Sequence, residues 1–63
     1  MSLKEKTLLD KILQSMVEKS TELFMLLTTT NNRRISGASI PKATLNEIQN
    51  LVKQLKTMSE ALP

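Results

Sequence analysis

"NRRISGASIPKATL", residues 32–45, holds both arginines, the only glycine and the first of two prolines in a chain of 63 residues. Helical periodicity precedes it and helical periodicity follows it, so the reading of this stretch decides the fold. Gly37 permits a turn at a backbone angle that other residues adopt at a cost. Pro41 suits the first turn of a helix, where its missing N–H is not needed. Thr44-Leu45-Asn46-Glu47 has the spacing of a capping box, which places the start of a second helix between residues 40 and 45. The expected order is a helix over about 3–28, a loop over about 29–40 and a helix over about 41–61, in one domain covering residues 1–63.

Upstream of the stretch, Ser2-Leu3-Lys4-Glu5 also fits a capping box. Leu9, Leu13, Met16, Leu23 and Leu27 then recur at heptad spacing, with Ser20 in the vacant core place. Ile12 and Phe24, together with Leu8, Val17 and Leu26, widen this stripe to about half the helix circumference at roughly 100° per residue. Met25 falls outside it. A helix packing on one neighbour needs only a narrow stripe, so this width points to two neighbours.

Downstream, Leu45, Ile48, Val52, Leu55 and Leu62 keep a three–four spacing. Ser59 fills the place of a further core residue, and Leu51 and Met58 widen the stripe on one side. Between the helices, β-branched Thr28, Thr29 and Thr30 weaken the end of helix one. Asn31 or Asn32 is then a candidate for a left-handed cap. The resulting loop, about twelve residues, exceeds the usual two to eight for a helix–helix connection.

Composition narrows the function classes. There is no Cys and no His, which removes disulfides, thiolate ligands, the commonest metal ligand and the usual acid–base group near neutrality. A chain this short is marginal alone, and association is the remaining device that stabilises it. Forty per cent hydrophobic residues and a net charge of only +3 argue against full disorder. Phe24 is the one aromatic residue, too few for stacking on single-stranded nucleic acid. No run of about 18 apolar residues appears, so no membrane span is expected. The N-terminus lacks the apolar region of a signal peptide. An intracellular location, cytoplasmic or nuclear, is the expectation. Met1-Ser2-Leu3 reads partly as an expression scar, in which case the chain is a domain of a longer protein.

The carboxylates sit mostly on outer helix faces. Glu18 and Glu22 are four apart, yet a bundle di-metal site needs inward His or acidic partners that this chain lacks. The expectation is no catalysis, no metal and no cofactor. The excess positive charge lies in the middle, at Arg33, Arg34 and Lys42, the candidate contacts for an anion or nucleic acid.

Ser39 to Leu45, within "SIPKATLNEI", resembles the start of the recognition helix in winged-helix and helix-turn-helix regulators of the IclR kind. The resemblance covers about seven residues and implies Pro41, Lys42 and Thr44 at a groove-facing helix start. It also requires "NNRRISGA" to be the motif's first helix, and puts Ser39 where the turn glycine usually stands. The same residues are best read as start signals for a packing helix, which accounts for most of the resemblance.

Together these readings predict an all-α fold, an antiparallel two-helix hairpin that associates into a four-helix bundle or a larger helical oligomer. The expected interface comprises Leu9, Ile12, Leu13, Met16, Leu23, Phe24 and Leu27 with Ile48, Val52, Leu55 and Leu62. The expected partner is a second copy, as homodimer or homotetramer. The alternatives are another helical protein, completed by this hairpin, and nucleic acid bound through the basic residues.

Overall fold

A computed structural model, describing residues 1–63, contains two helices, α1 (Leu3–Ser36) and α2 (Lys42–Glu60). The connection of residues 37–41 folds α2 back along α1, and the two pack against each other. The all-helical hairpin therefore matches the expectation from sequence. Ser2 is extended, and its Oγ accepts a hydrogen bond from the Glu5 N–H at 3.1 Å. That satisfies one free donor of the first turn.

The end of α1 corrects the sequence reading. The helix does not stop near residue 28 but continues about two further turns to Ser36. The threonines and asparagines are accommodated inside it. Thr29 Oγ1 donates to the Met25 carbonyl at 3.0 Å, and Asn31 Oδ1 accepts from Arg34 Nε at 3.0 Å. Neither side chain then competes for the backbone N–H groups, the usual way such residues end a helix. Their propensity cost is a few tenths of a kcal/mol each, less than the value of a good terminus further on. Gly37 provides that terminus with φ 79° and ψ 7°. Its N–H donates to the Arg34 carbonyl at 3.2 Å, and the Ala38 N–H donates to the Arg33 carbonyl at 3.0 Å. This is the Schellman pattern, which satisfies two of the orphan carbonyls. Arg33 and Arg34 lie in the last turn, where positive charge complements the helix dipole.

The long loop is thus a short one. Pro41 is extended, with φ −61° and ψ 141°, and precedes α2 without a side-chain cap. Its carbonyl accepts from the N–H groups of Thr44 and Leu45, at 3.0 and 3.4 Å. Thr44 is therefore inside the helix rather than at its cap, and the Thr44–Glu47 capping box does not form.

The helices meet along one seam. On α1 the residues withdrawn from solvent are Leu9, Ile12, Met16, Lys19, Leu23, Leu26 and Thr30. On α2 they are Thr44, Ile48, Leu51, Leu55 and Met58, with Leu62 just beyond the helix end. Both series alternate steps of three and four, the pattern of a heptad seam. The register differs from the expected one. Lys19, not Ser20, occupies the polar seam place; its Nζ reaches the Glu22 Oε2 at 3.7 Å, so the stem is covered while the ammonium stays near water. Only Leu51 is buried, and it keeps 6% of its surface exposed.

The molecule measures 51 × 15 × 11 Å, with a radius of gyration of 15.2 Å. A compact chain of this length has about 11 Å. At 1.5 Å per residue, the 34 residues of α1 account for the long axis. The 19 residues of α2 cover little more than half of it, so the first turns of α1 overhang the hairpin.

Candidate association surface

The two flanks of the seam are unlike. Leu13, Ser20 and Leu27 follow the seam residues Leu9, Met16 and Leu23 by four. Leu45, Val52 and Ser59 stand one residue after the seam residues Thr44, Leu51 and Met58. In an antiparallel pair these two rows fall on the same side of the seam. A further row, Val17 and Phe24, lies beyond them on α1. Phe24 is 70% exposed and Val17 63%, whereas Leu13, Leu27 and Leu45 are each 45% exposed. The gradient fits a face that begins at the seam and climbs onto the outer side of α1. The opposite flank carries Ser15, Glu22 and Thr29 on α1, with Glu47 and Gln54 on α2, and its apolar exceptions are Leu8 and Ala61 near the open end.

The serines in the apolar flank are already satisfied within their helices. Ser20 Oγ donates to the Val17 carbonyl at 2.9 Å, and Ser59 Oγ donates to the Lys56 carbonyl at 2.7 Å. Covering them therefore leaves no unpaired hydroxyl donor. Along α1 the apolar stripe ends in polar residues at both extremities. Lys6 and Asp10 lie towards the N-terminus, and Asn31 and Arg34 towards the turn.

Of the expected interface residues, Leu9, Ile12, Met16, Leu23, Ile48, Leu55 and Leu62 lie in the seam inside the hairpin. Leu13, Phe24, Leu27 and Val52 lie on the exposed flank. Sequence reasoning passed over Lys19, Thr30 and Thr44 as seam members, and treated Leu26, Leu51 and Met58 as flanking. Their unbroken three–four alternation was the available signal; polar residues at three of the places obscured it.

Arg33 and Arg34 stand in the last turn of α1 and Lys42 at the first position of α2, on the two sides of the turn at Gly37. All three are exposed, and none has a carboxylate within ion-pair distance. Arg33 and Arg34 belong to the last helical turn of α1, not to a loop, which corrects the sequence reading. No group of three or more acidic side chains stands where it would hold a metal ion. No helix is long and apolar enough to cross a membrane. Comparison with known protein families, with curated proteins and with solved structures finds no match.

Proposed function

We propose that this chain is a non-catalytic self-association module, a helical hairpin that pairs with further copies of itself to complete a four-helix bundle. The observation that carries this reading is surface area. A compact monomer of 7.1 kDa exposes ~4,100 Å² by size scaling, whereas the hairpin exposes 5001 Å². The surplus, about 900 Å², is close to the ~800 Å² that each partner buries in an interface of standard size. One buried residue in 63 is also too small a core to offset the conformational entropy of two ordered helices. Burial of the apolar flank against a second copy supplies the missing term.

Light scattering or sedimentation equilibrium at micromolar concentration tests the reading. The expected mass is at least twice that of the chain, with helicity that falls on dilution. A monomer, whether well folded or partly molten, overturns it, and the molten case favours a hairpin completed by another protein's helices.

The cluster of Arg33, Arg34 and Lys42 supports a second reading, in which the oligomer presents basic ends to nucleic acid. It predicts a gel-shift complex at low salt that weakens steeply as salt rises and is lost in Arg33→Ala/Arg34→Ala.

A further inference from the structure

We infer that the second copy docks antiparallel, α1 on α1, with the two-fold axis passing beside Ser20. The inference rests on the self-association proposed above and names its face and direction. Four observations lead to it.

The first is direction. On α1 the seam and the apolar stripe of Leu13, Val17, Phe24 and Leu27 point about 100° apart around the helix axis. A helix at the corner of a square bundle has its two neighbours about 90° apart. The stripe therefore faces where the second neighbour of α1 belongs. On α2 the exposed apolar row is narrower, with Gln49 and Lys56 beside it, so α1 makes the larger part of the contact.

The second is position. Ser20 stands at the middle of α1, with 17 helical residues before it and 16 after it. The stripe is centred there as well. Antiparallel pairing about this point overlaps the two α1 helices along their whole length, and the turns that overhang α2 lie along the far end of the partner's α1. On α2, Val52 is the central member of the exposed row Leu45, Val52 and Ser59, on the same side of the seam as Ser20.

The third is self-complementarity. Pairing about Ser20 sets Leu13 against the partner's Leu27, and Val17 against the partner's Phe24. Ser20 meets its own copy, where two small side chains let the helices approach, and its hydroxyl is already bonded within its helix. A parallel pairing would instead stack Phe24 on Phe24 and Asp10 on Asp10.

The fourth is charge. Beyond the apolar stripe, Asp10 comes opposite the partner's Asn31 and close to the partner's Arg34. Arg34 is held towards that face by its 3.0 Å bond to Asn31. Lys6 also approaches the partner's Arg34; Asp10 lies one turn inside both, where its negative charge offsets part of their repulsion.

Single cysteines in a chain that has none test this directly, using a short bis-maleimide on the full chain. Ser20→Cys is expected to cross-link to a covalent dimer. Ser15→Cys, on the polar flank, and Asn31→Cys, whose copies lie ~30 Å apart in the antiparallel pair at 1.5 Å per residue, are expected not to. Asp10→Arg is expected to weaken dimerisation several-fold, and adding Arg34→Asp to restore it. A dimer by light scattering that cross-links through Ser15→Cys overturns the assigned face. One that cross-links through Ser20→Cys and Asn31→Cys alike overturns the antiparallel sense. A dimer in which Ser20→Cys stays uncross-linked overturns the axis position. In all three cases self-association itself stands. A monomer by light scattering removes both proposals.

Discussion

The flank that carries Leu13, Phe24, Leu27, Leu45 and Val52 and the flank that carries Ser15, Glu22, Thr29, Glu47 and Gln54 border the same seam. They have the same backbone geometry and opposite chemistry. The polar flank needs nothing beyond water. The apolar flank leaves Phe24 70% exposed, in a molecule with one buried residue. The lesson is that a two-helix seam satisfies only half of each helix here. The other half of α1 keeps an exposed apolar face, the face that the proposed second copy would cover.

Substitutions separate the three zones. Leu51→Ala removes the one buried side chain, and a cost of about 2–5 kcal/mol is expected. Urea denaturation followed by circular dichroism will read it as loss of helix, together with dissociation if the chain is oligomeric. Phe24→Ala sets the two flanks directly against each other. For an isolated hairpin the change is at a surface site and stays within about 0.5 kcal/mol. For a dimer that buries Phe24 it costs about 2–4 kcal/mol. A melting temperature that depends on concentration in the parent chain and drops in the variant supports the dimer; superimposable melts would sink it.

Gly37→Ala probes the turn that makes both flanks exist. Nothing lies within 4 Å of an added Cβ, so the cost is purely conformational. At φ 79° it is roughly 1–2 kcal/mol, measurable as a lower urea midpoint with an unchanged slope. Lys19→Leu replaces the one charged seam residue. Its ion pair with Glu22 is solvent-screened and contributes little, so an apolar side chain is expected to stabilise the chain by about 1 kcal/mol. The smallest effect belongs to the polar flank. Gln54→Lys is expected to move stability by no more than about 0.5 kcal/mol and to leave the solution mass unaltered. A change in mass would show that the polar flank, too, is a contact surface.

Much of this was legible before any coordinates. The Ser2 cap, the turn at Gly37, the beginning of α2 near Pro41 and the excess width of the apolar stripe on α1 all follow from local chemistry. The run from Thr28 to Ser36 was not. Threonine and asparagine weaken a helix on average, but here Thr29 and Asn31 find partners within it, and a glycine terminus waits about two turns beyond. Local propensity is a sum over alternatives, and a well-capped helix end outweighs several small penalties spread along the way.

By itself the sequence determined that two amphipathic helices fold back on each other about Gly37, because periodicity and turn chemistry act over a few residues. It also determined that α1 has more apolar surface than one partner covers. Only the tertiary structure decided which part of that surface faces α2. Leu26 and Leu27, Ile12 and Leu13, and Leu51 and Val52 are adjacent pairs, so two heptad registers run side by side through the same sequence. They differ by a small rotation of each helix, and local preferences are blind to it. Packing α1 against α2 as a whole selects one: Leu51 goes inward, Lys19 goes to the seam edge where its ammonium reaches water, and Leu13, Phe24 and Leu27 are left facing out.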